Sequence, residues 1–300
     1  MAFLEFISNF RTEYLDIFFR YISYLGEITI LLPILCILYW CINKQLAYKA
    51  LFAFFFSGSV IQGAKITFRI PRPWVLNPDF APVDSALETA TGYSFPSGHT
   101  QSSSSVFLTF ATCTGHKFIS VFSYIIVALV LLSRMYLGVH TPLDVFTSLA
   151  VSVVIVLLLR NFTRNYSFPH SNKVGLLIIA LAYSAGLTLY SLLLIRWNIS
   201  TMELVSDAIV FSCSLAGFAI GAYIENRFIK FGTECLSIFT QIIKVILGIG
   251  GMLLIKYAFS LIPASEIIID SATSFVACIW ATCIFPLFIR LVQKKKYSEL

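Results

Sequence analysis

The sequence predicts an all-α fold: a polytopic membrane helical bundle of about nine transmembrane helices, preceded by an N-terminal interfacial helix. Three observations predict it. Hydrophobic residues make up 58% of the 300-residue chain and charged residues only 12%, with a mean hydropathy of +0.85. A soluble domain carries about a quarter charged residues, so this chain has too little polar surface to cover itself in water. The apolar residues fall in nearly continuous runs, close to the roughly 20 residues that a helix needs to cross the hydrocarbon core. They do not form the short alternating segments of an outer-membrane barrel. The net charge of +6 collects on one set of connections. This is the positive-inside bias of a membrane protein, and it gives no argument for a nucleic-acid partner.

Residues 2–22 alternate apolar and charged positions, among them Glu5, Arg11, Glu13, Asp16 and Arg20. The pattern reads as an amphipathic helix in the membrane interface, with a short tilted span as the alternative. It lacks the basic start and apolar core of a cleavable signal peptide. Spans are then expected at 26–43, 48–68, 98–115, 118–136, 142–160, 174–196, 205–225, 235–261 and 271–291. The Pro-, Asp- and Ser-rich loop 69–96 and the basic polar stretch 160–173 are the main breaks. The expected organisation is an interfacial segment 1–24, a core 25–162 that carries the chemistry, and a four-helix transmembrane extension 163–300. Lys44, Lys49, Lys117, Arg160, Arg164, Lys173, Arg227, Lys230, Arg290 and the lysines at 294–296 share one side. That side, with the C-terminus, is expected to be cytoplasmic, and loop 69–96 then faces the outside, periplasm or lumen.

Three polar clusters fall on that outer side: Lys65, Arg72 and Pro73; then Pro96, Ser97, Gly98 and His99; then Ser133, Arg134, His140 and Asp144. Polar groups near bilayer depth are expensive unless they have a use, so three at one depth point to one site. Their chemistry suits phosphate. Arginine holds phosphate oxygens bidentately and lysine acts as a point charge, which gives Lys65, Arg72 and Arg134 that task. Ser97 offers a hydroxyl. Gly98 and His99 open a helix whose free amides and dipole favour an anion. Thr141, Pro142 and Asp144 read as a helix start. A carboxylate at Asp144 bonded to one ring nitrogen of His140 leaves the other nitrogen free to attack. His99 is then the natural acid and base partner.

The three ordered clusters resemble the type 2 phosphatidic acid phosphatase superfamily, whose pattern reads KxxxxxxRP, PSGH and SRxxxxxHxxxD. Every defined position is matched, over about residues 26–160. The resemblance implies that the residue at His140 forms a phosphohistidine, that His99 is the general acid, and that no metal or other cofactor is needed. Nine apolar spans exclude the soluble branch of the family. The implied activity is hydrolysis of a lipid phosphate or polyprenyl diphosphate, a substrate whose tail stays in the bilayer. The architecture also resembles glucose-6-phosphatase, so a sugar phosphatase is an alternative, as is a membrane phosphotransferase. A lipid transporter or binder is the non-enzymatic alternative; it would need cations but no nucleophile.

Each residue also has an ordinary structural reading. A lone cation at a span end snorkels; a lone Ser97 or Thr141 caps a helix; a lone Asp144 completes a capping box. Three clusters in motif register outweigh these. Pro73 and Pro96 read as helix punctuation, and His116 and His170 as loop residues. The serines at 102–105 read as a close-packed helix face. The seven cysteines, Cys235 included, have no metal spacing and read as packing residues. Lys244 falls inside a span, where it either lines a polar cavity or has a partner. Trp197 beside Arg196 suits an interface anchor. Asn198, Ile199 and Ser200 form an outward glycosylation sequon.

Overall fold

The computed structural model describes residues 1–164, 170–234 and 237–298, without the side chains of 164, 170–173 and 294–298. The side chains of Arg164, His170, Lys173 and the lysines at 294–296, and the whole of Cys235, lie outside the described residues. The described chain is helical, and it divides into two compact units, 1–32 with 60–162, and 33–59 with 163–300.

The first unit starts with α1 (Ala2–Ser8) and α2 (Glu13–Tyr24). One continuous interfacial helix was expected over 2–22. Instead the chain breaks at 9–12, where Thr12 caps α2 by accepting from the Leu15 amide. Helix α2 then meets α3 (Ile28–Ile37) at a bend of 45°. From Pro33 onward α3, the single π turn Leu38–Ile42 that continues it and the start of α4 (Lys44–Phe68) belong to the second unit. The rest of α4, from residue 60, belongs to the first and ends where Arg69 turns to a φ of 52°, a left-handed conformation that stops the helix. A short α5 (Pro73–Leu76) follows with proline at its first position. α6 (Gly98–Cys113), α7 (Lys117–Tyr136) and α8 (Pro142–Arg164) complete the unit. Gly138, at a φ of 76°, closes α7 in contact with Phe80 and Arg11. Helices α1, α2 and α6 all pack on α7. Beside its end, Ala86, Tyr136, Leu137 and Val139 form a small core with Ile7, Phe19 and Trp74.

The second unit contains α9 (His170–Arg196), α10 (Met202–Ile224), α11 (Ile238–Ser260), α12 (Glu266–Ile279) and α13 (Phe285–Ser298). α10 packs against α9 and α12. π turns follow α10 at Glu225–Ile229 and α12 at Trp280–Ile284. Buried around them are Tyr39, Trp40, Phe231 and Phe285. Lys44 pairs with the buried Glu225 at 2.9 Å. Lys244 has partners, one of its two expected readings: it donates to the carbonyls of Trp40 at 3.4 Å and Thr233 at 3.5 Å. Trp197 is exposed.

Seven described helices are long and apolar enough to cross a membrane, or eight if the bent pair of α2 and α3 is one span. The expected nine differs for two physical reasons. The segment expected at 26–43 qualifies only together with α2. The segment expected at 98–115 is the 16-residue α6, about 24 Å long at 1.5 Å per residue. The serines at 102–105 on α6 are all buried, so this helix packs inside protein and needs neither the length nor the apolarity of a lipid-facing span.

Candidate active site

All eight expected site residues fall in the first unit. Local structure brings their three sequence blocks together. Arg69 re-aims the chain after α4, and the Ser94 amide donates to the Ile70 carbonyl at 2.9 Å, which ties the first block to the second. The Ser97 amide donates to the Asp144 carbonyl at 3.2 Å, which ties the second block to the third. Ser97 caps α6: its oxygen accepts from the Thr100 amide at 3.5 Å and the Thr100 hydroxyl at 3.1 Å. Gly98 faces Lys65, whose Nζ stands 4.0 Å from where a Cβ would be. The backbone at the start of α6 is therefore open toward a buried lysine.

The third block folds as a reciprocal cap. The Asp144 amide donates to Thr141 Oγ1 at 3.4 Å, and the Thr141 amide donates to Asp144 Oδ2 at 2.8 Å. The structural reading of Asp144 and the functional one are therefore satisfied by the same geometry. The cap holds His140 just outside α8, with Nδ1 3.4 Å from Asp144 Oδ2 and not aligned for a full hydrogen bond. On the other side of the ring Arg72 Nη1 donates to His140 Nε2 at 3.1 Å. An arginine has only protons to give, so Nε2 holds the lone pair and the neutral ring carries its proton on Nδ1, toward the carboxylate.

Arg72 is itself locked. It donates to the carbonyls of Val139 at 3.0 Å, Gly92 at 3.2 Å and Thr91 at 2.6 Å. Arg134 is 1% exposed and donates to Ser23 Oγ. Its Nε and Nη2 have no hydrogen-bond partner among the described residues. Burying a cation costs several kcal/mol, and buried donors are nearly always paired. Lys65, Arg72 and Arg134 are all buried. The carboxylates facing the two arginines are Asp144 and Glu27. The centre thus has an excess of positive charge and two unspent guanidinium donors, a combination that binds an oxyanion. The same environment acts on His140: burial first, then the charges of Arg72, Arg134, Lys65 and His99, hold its imidazole well below the ordinary value of 6.5.

His99, at the start of α6, lies 3.8 Å through Nε2 from Glu27 Oε1. Glu27, Ser23 and Ser94 were not singled out in the sequence. Ser94 donates to Asp144 Oδ2 at 2.6 Å, so three groups converge on that one oxygen. The available signal for Glu27 was a carboxylate opening an apolar run. Ser94 and Ser23 carried none. Among the described residues, no group of three or more His, Cys, Asp and Glu is placed to hold a metal ion.

Residues 46–168 match the PAP2 superfamily, and residues 210–296 match the PAP2 superfamily phosphatase transmembrane extension. The chain is similar to a probable sphingosine-1-phosphate phosphatase of Dictyostelium discoideum, 32% identical over 50% of this chain and 39% of that protein. It is also similar to a dihydrosphingosine 1-phosphate phosphatase of Schizosaccharomyces pombe, 30% identical over 58% of this chain and 45% of that protein. The matches thus span less than half the length of these two relatives. Among solved structures, LpxE of Aquifex aeolicus is 28% identical, with a TM-score of 0.45 over 53% of this chain and 92% of that one.

Proposed function

The chain belongs to the PAP2 superfamily, and from that premise we propose that it is a metal-independent, multi-pass membrane phosphatase that hydrolyses a lipid phosphate through a phosphohistidine. The observation that carries the reading is the pairing of an unprotonated, buried His140 Nε2 with three buried cations, two donors of Arg134 being unspent. A binder or transporter needs the cations but not that nitrogen.

In this mechanism the phosphate enters between Lys65, Arg134, the Ser97 hydroxyl and the amides at Gly98. Arg72 Nη1 transfers its hydrogen bond from His140 Nε2 to a phosphate oxygen, which frees the lone pair. Nε2 attacks phosphorus in line, while Asp144 steadies the Nδ1 proton. His99 gives a proton to the leaving oxygen. Water then attacks the phosphohistidine as His99 takes its proton, releasing inorganic phosphate. The cations stabilise charge on the equatorial oxygens throughout.

Residues 25–162 carry this chemistry, 1–24 lie at the interface, and 163–300 form the extension. The site faces the extracytoplasmic side and the C-terminus the cytoplasm, a reading supported by the charge asymmetry of the connections. The substrate class is a sphingoid-base or glycerolipid phosphate, supported by the names of the relatives and by a lipid tail's ability to stay in the bilayer while its head enters the site.

Phosphate release by the detergent-solubilised protein tests the reading. The panel is sphingosine phosphate, phosphatidic acid, phosphatidylglycerol phosphate, a polyprenyl diphosphate and glucose 6-phosphate. Activity on a lipid is expected to survive EDTA, and a strict Mg²⁺ requirement would sink the mechanism. Preference for glucose 6-phosphate would move the assignment to a sugar phosphatase. The pH profile has a definite sign. His140 must be neutral to attack, and its imidazole is held below 6.5. The acid limb of kcat/KM is therefore expected below pH 6.5, and a limb clearly above that value would contradict the buried geometry.

A further inference from the structure

We propose that the corner between α2 and α3 is a fourth block of the active site, in which Glu27 positions His99 and Ser23 positions Arg134. The proposal rests on the phosphatase reading and adds residues to it that lie before residue 46, where the family match begins. Three separate contacts bring the corner to the site. Ser23 is 3% exposed and accepts from Arg134 Nη1. Gly26 lies against the backbone of His99, where a Cβ would stand 2.7 Å from the His99 carbonyl oxygen, so the corner admits only glycine at this approach. Glu27 Oε1 lies 3.8 Å from His99 Nε2, an ion-pair distance longer than a hydrogen bond. Its other oxygen, Oε2, accepts from Thr29 Oγ1 at 3.2 Å. That bond orients the carboxylate and leaves Oε1 toward the imidazole.

The electrostatics require such a group. Burial first, then Arg134 from α7 and Lys65 from α4, act against a positive charge on His99, and His140 of the α7–α8 connection lies within the same field. Glu27 is the carboxylate that opposes them. In the first half-reaction the proton on the His99 ring moves to the leaving oxygen as the P–O bond breaks. In the second, a proton from water returns to the ring as the hydroxyl joins phosphorus and the P–N bond to His140 breaks. Glu27 exchanges no atom in either step. It stabilises the protonated ring, and the Gly26 contact fixes where α6 begins, so His99 serves both steps from one position. Ser23 fixes one end of the Arg134 guanidinium and leaves its remaining donors for the phosphate.

The test compares pH profiles of kcat and kcat/KM for the full chain in detergent with EDTA. The variants are Glu27→Gln, Glu27→Asp and His140→Ala. The substrates are sphingosine phosphate, phosphatidic acid and a nitrophenyl phosphate whose leaving group needs no proton. Glu27→Gln is expected to lower kcat on both lipids by about 10- to 100-fold, with KM little changed. Its alkaline limb should move down by about one pH unit, because removing an opposite charge disfavours the imidazolium. Glu27→Asp should recover most of the rate, and the loss on nitrophenyl phosphate should be about tenfold smaller than on the lipids. An unchanged rate and limb in Glu27→Gln would overturn the proposal. So would an equal loss on all three substrates, which marks a purely structural role. A loss confined to the ammonium-bearing sphingosine phosphate would also overturn it, since Glu27 would then read the substrate. His140→Ala separates the two levels. If it remains active, the phosphohistidine reading itself fails; if it is dead while Glu27→Gln is normal, only the role of the corner fails.

Discussion

Replacing His140 by alanine is expected to lower kcat at least a thousandfold on every substrate the protein hydrolyses, while the folded, detergent-extracted protein is recovered at normal yield. The loss follows from removing the nitrogen whose lone pair faces the buried Arg72 guanidinium. His99 does not replace it: it stands on α6 and faces Glu27. The residual rate would come from binding and charge stabilisation alone. Folding is expected to survive because the ring's fixed partner, Asp144, keeps its bonds to Ser94 and the Thr141 amide without it. Arg72 likewise keeps three carbonyl acceptors. Phosphate release, with circular dichroism and gel-filtration profile as controls for fold, checks the prediction. A His140→Ala protein within tenfold of the parent would remove the nucleophile from this account.

Replacing Arg134 by glutamine is expected to lower kcat by about a hundred- to a thousandfold, the scale of losing one preorganised donor group at a developing oxyanion. KM should change less than kcat, because the guanidinium is spent mainly on charge that develops in the transition state. Glutamine keeps a polar group for Ser23 but removes the buried positive charge and the unpaired Nε and Nη2 donors. Removing an incompletely paired buried cation should also raise the thermal midpoint or leave it unchanged, since the cost of burying its charge disappears with it. Activity falling together with stability would instead mean that Arg134 is a structural cation. Steady-state kinetics and a thermal melt in the same detergent decide between the two outcomes.

The geometry of the candidate site was largely legible in the sequence because its residues also obey local folding rules. Thr141, Pro142 and Asp144 form a helix start by local rules, and the same cap holds His140 against a carboxylate. Ser97 and Gly98 open α6 as their types require, and the start of that helix faces Lys65. What was not legible depends on contacts between residues far apart in the chain. Ser94 reaches Asp144 across 50 positions and Ser23 reaches Arg134 across 111, and an isolated serine in an apolar chain announces neither. The number of spans is less legible, because hydropathy reads burial from lipid and burial inside protein alike: the span expected at 98–115 falls on the 16-residue, serine-lined α6, and the one expected at 26–43 qualifies only together with α2. For Lys244 the sequence leaves a partner and a polar cavity both open, because the backbone carbonyls that accept from it belong to other segments and leave no mark in the sequence.

The most direct test of the central claim is to trap the intermediate. The purified protein is mixed with a lipid phosphate carrying labelled phosphorus, quenched in alkali, where a phosphohistidine survives and a phosphoserine does not, and digested for peptide mapping. The account predicts transient label on the peptide containing His140, absent from the His140→Ala protein and undiminished by EDTA. Label on another residue, or full turnover with no covalent label at any quench time, would contradict it.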